Sequence, residues 1–367
     1  MRRRLLVIGL VWGLLHLYMG ARLLGHAGIS AGWLVLAWGM LLLLALAPFG
    51  AFYALRREDS RLWTALQWTG FTALGLSSIL FVLVVAADVL AVRAWGAGVR
   101  PAAVSFGILV GAAALTAAGA WGARRPRVVR VTVPIAGLPD DLEGFRIVQL
   151  SDLHVGPTIG RRFVRAVVDT ANGLDPDVVA FTGDVADGMV PALRDAVAPL
   201  ADLHARYGKF FVSGNHEYYW DGPGWLRELE RLGFSVLTNA HRVLRRGAGR
   251  LLLAGVTDRG SDPVAALAGA PESDVKVLLA HQPSRAFAAR AAGFDLQLSG
   301  HTHGGQYFPF SLLVRLFQPF VSGLHRLEEM WLYVSRGTGY WGPPLRLGAP
   351  SEITLIELHA ALQPAAR

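Results

Sequence analysis

The chain has 367 residues, 53% of them hydrophobic and only 17% charged, with a net charge of +8 and no cysteine. That length accommodates about two domains, the apolar excess is too great for an ordinary soluble enzyme, and disulfide frameworks and thiolate metal sites are excluded. Residues 1–126 carry 11 Arg against Glu58, Asp59 and Asp88, a net of +8, whereas residues 127–367 carry 24 basic and 24 acidic side chains. The basic excess therefore belongs to the first third. The neutral remainder has no Lys/Arg excess with which to bind nucleic acid, which is excluded as a partner.

In chain order, residues 1–126 read as a membrane anchor with four spans, Leu5–Gly25, Ile29–Leu55, Trp63–Val92 and Ala102–Ala123. Each is near or above the ~20 residues that cross a bilayer, and Trp33, Trp63, Trp95 and Trp121 lie near the ends, where indole favours the interface. The connections alternate in charge. One side holds Arg2, Arg3, Arg4, Arg56, Arg57, Arg61, Arg124, Arg125, Arg127 and Arg130, and the other holds Arg22, Arg93 and Arg100. This positive-inside bias predicts a multi-pass protein of the inner (cytoplasmic) membrane, with the C-terminal domain in the cytoplasm. A cleaved signal peptide over Arg2–Leu17 is the rival reading, but no small-x-small cleavage site follows and three further spans do. Two ionisable residues interrupt the spans, His16 and Asp88. With no second carboxylate in the spans, an ion relay is not expected. His16 is expected to bond a neighbouring helix, and Asp88 to reach the interface beside Arg93. The small residues Gly107, Gly111, Ala112, Ala113, Ala114 and Gly119 suit close helix packing.

Residues 127–367 form the second predicted domain. Strands are predicted over Val128–Val133, Arg146–Leu150, Val178–Thr182, Phe210–Val212, Leu251–Ala254, Val275–Leu279, Leu296–Leu298, Leu332–Val334 and Ile353–Glu357. Helical patterns fit Arg161–Asn172, Pro191–Arg206, Gly224–Leu232, Pro263–Leu267 and Ser284–Ala292. Such alternation argues an α/β domain with helices covering sheet faces.

Asp, His or Asn follows directly on almost every strand. The strand ends run into Ser151-Asp152-Leu153-His154, Gly183-Asp184-Val185-Ala186-Asp187, Gly214-Asn215-His216-Glu217, His281, and Gly300-His301-Thr302-His303. The carboxyl ends of strands are where open α/β sheets bind ligands. Any one of these would be an ordinary loop residue; five together, flanked by glycines that let backbones approach, are the signal. Carboxylate, imidazole and amide oxygen without thiolate suit divalent Mn²⁺, Fe²⁺ or Zn²⁺. The ligands are too many for one tetrahedral ion. A carboxylate-bridged pair is the economical solution, and two such ions ~3.5–4 Å apart can generate a nucleophile and clamp phosphoryl oxygens.

The order of these motifs resembles the calcineurin-like metallophosphoesterases. It matches more tightly the membrane-associated bacterial branch that includes the YkuE-like and YaeI-like proteins, through Gly300-His301-Thr302-His303-Gly304-Gly305-Gln306 and the closing Ser335-Arg336-Gly337-Thr338-Gly339 and Pro350-Ser351-Glu352-Ile353. The resemblance covers roughly Val128–Leu358 and not the spans. It implies a four-layer α/β/β/α sandwich and two divalent ions, Mn²⁺ foremost. Asp152, His154 and His303 would hold one ion; Asn215, His281 and His301 would hold the other, with Asp184 bridging. His216 would bind no metal and would protonate the leaving oxygen or stabilise charge in the transition state. The nucleophile would be a metal-bridging hydroxide. Asp187 is given an outer role, orienting a residue that itself touches metal or substrate. Arg336 would contact substrate phosphate or form an ordinary surface ion pair.

Just after the last ligand motif comes Tyr307–Leu324, dense in Phe and Leu with Arg315 as its one charge. It reads either as a buried helix-loop of the core or as an interfacial flap that admits a lipid tail. An anchored, cytoplasm-facing phosphoesterase with such a lip implies membrane lipids as partners and a lipid-linked phosphodiester or pyrophosphate as substrate. Some members of the branch cleave UDP-2,3-diacylglucosamine, which is the leading expectation. A general phosphodiesterase or phosphatase on soluble or cell-envelope substrates is the alternative. A membrane sensor or scaffold with a degenerate domain would lack ligands, and none is lost here.

Overall fold

The computed structural model describes residues 2–25, 28–55, 57, 60–94 and 101–361. Trp95, Arg56 and Arg100 lie outside them, as does the side chain of Arg93. By contacts the chain divides into two compact units, one of residues 1–122 with 342–347, the other of residues 123–341 with 348–367.

The first unit is helical, with α1 (Arg2–Leu24), α2 (Ala31–Ala54), α3 (Arg61–Ala94) and α4 (Pro101–Ala123). All four are long and apolar enough to cross a membrane. Small residues allow close approach within it. A side chain at Gly70 of α3 would run into Ala47 and Ala51 of α2. His16 and Asp88, the two ionisable residues singled out inside the spans, are paired. His16 Nδ1 donates to the carbonyl of Trp12 at 2.9 Å, and its Nε2 lies 3.1 Å from Ser77 Oγ on α3, the inter-helix bond that was expected. Asp88 accepts from Arg22, whose Nε reaches it at 2.8 Å, and from Tyr18, whose hydroxyl donates at 2.5 Å, so α1 is tied to α3. The expected neighbour Arg93 has its side chain outside the described residues. The segment 342–347 groups with these helices: Leu345 is buried against Gly75 and Gly119, and the N–H of Arg346 donates to the Gly119 carbonyl at 2.9 Å.

The second unit is built on two six-stranded sheets. Its elements in chain order are β1 (Arg127–Ile135), β2 (Phe145–Leu150), α5 (Arg161–Asn172), β3 (Val178–Phe181), α6 (Val190–Val197), β4 (Lys209–Phe211), α7 (Asn215–Trp220), α8 (Gly222–Arg231), β5 (Ser235–Val236), β6 (Ala240–Arg246), β7 (Gly249–Gly255), α9 (Pro263–Ala266), β8 (Val275–Leu279), α10 (Ala286–Ala291), β9 (Leu296–Ser299), α11 (Phe310–Leu313), β10 (Gly323–Leu327), β11 (Met330–Val334) and β12 (Glu352–Ala360). One sheet runs β1-β12-β2-β3-β4-β5 and the other β10-β11-β9-β8-β7-β6. Strands β2 to β5 are parallel to one another, as are β7, β8, β9 and β11.

The period-2 pleat sends alternate side chains to opposite faces, and here both faces are buried. Val148 and Leu150 of β2 enter a core shared with α5, α6 and α8, while Phe145 and Ile147 enter a core between the sheets. Leu251 and Leu253 of β7 fill that same middle core, and Leu252 and Ala254 pack with Ala266 and Ala286 under α9 and α10. Three apolar layers thus lie between four layers of structure, the expected α/β/β/α sandwich.

All nine predicted strands are present, and β5, β6 and β10 are additional. The helix expected over Pro191–Arg206 is shorter: α6 ends at Val197 and a 3-10 turn runs to Asp202, with Pro199 interrupting the α-helical bonding. Helix α7, which begins at Asn215, is additional to the predicted helices.

Candidate two-metal site

The parallel strands β2, β3 and β4 of one sheet and β8 and β9 of the other end side by side, and each ends in a candidate ligand. Asp152 follows β2, Asp184 follows β3, Asn215 opens α7 after β4, His281 follows β8, and His301 and His303 follow β9. Bonds across the two sheets lock these ends together. The Gln149 amide donates to Thr182 Oγ1 and to the Ser299 carbonyl, both at 2.9 Å, and His281 Nδ1 donates to the Thr182 carbonyl at 2.7 Å.

The backbone here is held in an unusual conformation. Asp152, His154, Asp184, His301 and His303 all have φ between 50° and 72°, a left-handed region that costs non-glycine residues energy and concentrates at functional sites. Two glycines are required by proximity. A Cβ at Gly300 would overlap the Asp152 carboxylate, and one at Gly214 would overlap that of Asp184.

The side chains converge in clusters. Asp152, His154 and His303 offer one set of ligand atoms, Asp184, His281 and His301 another, and His154, Asp184 and His216 lie between. His154 Nε2 is 3.0 Å from His303 Nε2, which is 3.5 Å from Asp152 Oδ1. His281 Nε2 lies 3.1 Å from Asn215 Oδ1, 3.2 Å from His301 Nδ1 and 3.2 Å from Asp184 Oδ2. Ligand bonds of ~2.1 Å put neighbouring donor atoms about 3.0 Å apart in an octahedron and about 3.4 Å apart in a tetrahedron. The observed spacings fall on these polyhedron edges, so the residues fit divalent ions. Asp184 reaches both sets: its Oδ2 is also 3.8 Å from His154 Nε2.

The electrostatics favour cations. Burial opposes charge on Asp184, yet His281 foremost, with His216 and His154, holds its carboxyl well below the usual range. Burial also opposes the His281 cation, but Asp184 and then Asp152 push its pKa up to about 10. His301 is driven the other way, to about 4, by burial and by His281 beside it. The carboxylates thus stabilise positive charge at His281 while His301 beside it stays neutral, and a divalent ion would satisfy the same carboxylates.

Asp187 sits between two imidazoles, its Oδ1 2.5 Å from His216 Nδ1 and its Oδ2 3.2 Å from His154 Nδ1. Burial disfavours an imidazolium at His216, but Asp187 and then Asp184 raise its pKa to about 9. His216 Nε2 points toward Asp184 Oδ2 at 3.9 Å. The exposed rings of Tyr219 and Trp341 flank it, with centroids 5.1 and 5.8 Å away.

Glu217 was not singled out in the sequence. Fully buried, its carboxylate accepts N–H bonds from Gly214 at 2.6 Å, Asp184 at 3.0 Å and Val185 at 2.7 Å. It caps α7 and ties the Asn215 turn to the Asp184 turn. Its place three residues after Gly214 is the glutamate position of a capping box, a signal that was legible. Arg336 is not in an ordinary surface pair: its Nη1 donates at 3.0 Å to buried Glu352, which also accepts from Tyr333 Oη at 2.6 Å. In the Tyr307–Leu324 segment, Tyr307 is buried, whereas Phe308, Phe310, Leu312, Leu313, Leu316 and Phe317 are exposed, so its tip is not core.

A sandwich of this kind, gathering carboxylates and imidazoles at the shared end of its two sheets, is the architecture of a metal-dependent hydrolase. Residues 145–305 match the calcineurin-like phosphoesterase family. The chain is similar to a "transmembrane protein with metallophosphoesterase domain" of Danio rerio, 42% identical over 65% of this chain and 59% of that protein. It resembles the uncharacterized metallophosphoesterase Cj0846 of Campylobacter jejuni at 40% identity, over 64% of each. With the uncharacterized metallophosphoesterase YkuE of Bacillus subtilis it shares 32% identity, over 69% of this chain and 94% of that one. The chain spans about three fifths of the length of the Danio rerio relative. It belongs to the calcineurin-like metallophosphoesterase family, with four long apolar helices ahead of the enzyme domain.

Proposed function

We propose that this is a membrane-anchored two-metal phosphoesterase that hydrolyses a lipid-linked phosphodiester or pyrophosphate. The observation that carries the metal assignment is a pair of ligand clusters with donor spacings of 3.0–3.5 Å within each, linked by Asp184, whose Oδ2 lies 3.2 Å from His281 Nε2 and 3.8 Å from His154 Nε2. Asp152, His154 and His303 would hold one ion, Asn215, His281 and His301 the other, and Asp184 both; Mn²⁺ is the favoured metal, with Fe²⁺ or Zn²⁺ compatible with the same donors. When bound, the ions supply Lewis acidity toward the phosphoryl oxygens and a nucleophile at neutral pH.

The chain's own residues do the rest. Asp187 fixes the His216 ring by accepting from Nδ1, which leaves Nε2 to carry a proton toward the leaving oxygen. Glu217 holds the two ligand turns in register through three backbone N–H bonds. Arg336, positioned by Glu352, is offered to a substrate phosphate.

Two features support a lipid-linked substrate: the four apolar helices and the exposed apolar tip that follows His303 in the chain. UDP-2,3-diacylglucosamine is the specific candidate. The Arg-rich connections favour an inner-membrane protein with its enzyme domain in the cytoplasm. Full-length protein with Mn²⁺ should release UMP from UDP-2,3-diacylglucosamine. Absence of UMP alongside good turnover of bis-p-nitrophenyl phosphate would leave a general phosphodiesterase. A reporter fused at the C-terminus that is active only outside the cytoplasm would reverse the orientation.

A further inference from the structure

We propose that residues 308–317 form a lipid-inserting tip, which enters the phospholipid bilayer at the headgroup–acyl boundary beside the metal site. In the second unit, twelve large hydrophobic side chains are exposed among the described residues, and six of them fall within these ten positions. Leu316 and Phe317 are the most exposed, at 75% and 80%. A contiguous apolar patch of this kind marks an interaction surface, whereas Tyr219 and Trp341 flank His216 and the other four stand singly and need no explanation.

The loop is held at its base and free at its tip. The Thr302 hydroxyl donates to the Val321 carbonyl at 2.5 Å, closing the loop behind the last ligand motif, and Tyr307 is buried beneath it. No acidic residue occurs between Gly304 and Arg326, and exposed Arg315 lies among the leucines. Phe and Leu around a single cation, with no carboxylate, is the composition of a segment that rests in the interface of a membrane with anionic headgroups. It does not favour a protein partner, whose interface would ordinarily supply a polar rim.

The covalent chain argues for lipid as the occupant. The root of the loop is held by Trp341 and Gly348. Gln306 exchanges two bonds of 3.0 Å with the Trp341 backbone, and Tyr307 bridges to Gly348. These residues immediately flank the segment 342–347, which packs against α3 and α4 through Leu345 and Arg346. The residues that anchor the tip are thus joined directly in the chain to a segment that belongs with the four helices long and apolar enough to cross a bilayer. The tip's insertion does not depend on which phosphoester is cleaved.

The absence of native cysteine allows a direct test. Single variants Leu316→Cys and Phe317→Cys would be labelled with an environment-sensitive fluorophore in the full-length protein. Each would be reconstituted into phosphatidylcholine–phosphatidylglycerol nanodiscs, with or without brominated acyl chains. Glu272→Cys is the control, exposed at the amino end of β8, the end remote from His281. The tip labels should shift to the blue and be quenched by bromine, more strongly by shallow than by deep positions, while the control is not. With the label at Leu312→Cys, adding Leu316→Asp and Phe317→Asp should abolish quenching and leave hydrolysis of bis-p-nitrophenyl phosphate intact, which reports that the variant is folded. Tip labels that bromolipid leaves as bright as the control would overturn the proposal, whatever the substrate.

Discussion

Replacing Asp187 with Asn isolates the charge behind His216 while keeping the side chain's size. The carboxylate accepts from His216 Nδ1 at 2.5 Å, and a hydrogen bond to a charged group contributes about 1.5–3 kcal/mol against about 0.5–1.5 for a neutral one. The difference, about 1–2 kcal/mol, corresponds to roughly a 5- to 30-fold loss of rate where His216 must donate a proton. The pH profile should move as well. Burial disfavours the His216 cation, and Asp187 is the first of the groups that raise its pKa to about 9. The protonated form is the acid, so activity is present below that pKa and lost above it. With Asp187 neutral, the alkaline limb of kcat/KM should slide toward neutrality and the deficit should grow with pH. The assay compares an alkyl phosphodiester, whose leaving alkoxide requires a proton, with bis-p-nitrophenyl phosphate, whose leaving group departs without one. The loss should be confined largely to the alkyl ester, with metal content unchanged. An equal loss on both esters, an unmoved alkaline limb, or loss of metal through the His154 contact would refute the acid role.

Other substitutions separate the remaining parts. Asp184→Ala should empty both metal positions and abolish turnover, whereas His216→Ala should keep both ions by elemental analysis and lose ~10²–10⁴ in rate on the alkyl ester; an emptied position in the histidine variant would mean His216 is a ligand. Glu217→Ala strands the N–H groups of Gly214, Asp184 and Val185. At about 1 kcal/mol or more for each orphaned donor, it should destabilise the enzyme unit by roughly 3 kcal/mol, read as a lower melting temperature together with weaker metal retention. Asp295 tests linkage away from the site. Burial raises its pKa, so its favourable contribution is full at pH values below the unfolded pKa and is lost as pH rises through the folded one. Asp295→Asn, able to keep the 2.7 Å bond from the Lys276 N–H, should therefore raise the melting temperature at neutral pH and have little effect in acid.

Much of this was legible because metal chemistry restricts residue type. Asp152, Asp184, Asn215, His281, His301 and His303 stood out by following apolar strands whose two buried faces leave a continuous hydrophobic run. The strands that were missed lack that mark. Strand β6 (Ala240–Arg246) carries three arginines and lies half exposed at a sheet edge, β10 is likewise an edge strand, and β5 has only two residues. Helix α7 was hidden because six residues, Asn-His-Glu-Tyr-Tyr-Trp, are too few to display a 3.6-residue period. The role of Glu217 depends on three N–H groups arriving from two turns, and the partner of Asp88 on which helix packs beside α3. Both are facts of tertiary structure. The ambiguity of Tyr307–Leu324 was genuine in sequence, since an apolar run reads the same buried or exposed. Only the placement of Leu316 and Phe317 separates the two.

The central claim is that two divalent ions share Asp184 in one site. Elemental analysis of full-length protein purified with Mn²⁺, run beside a chelator titration of phosphodiester hydrolysis, tests it most directly. Two ions per chain are expected, both lost in Asp184→Ala, with activity that falls to background on chelation and returns with Mn²⁺. One ion per chain at full activity, or hydrolysis that persists after the metals are stripped, would contradict it.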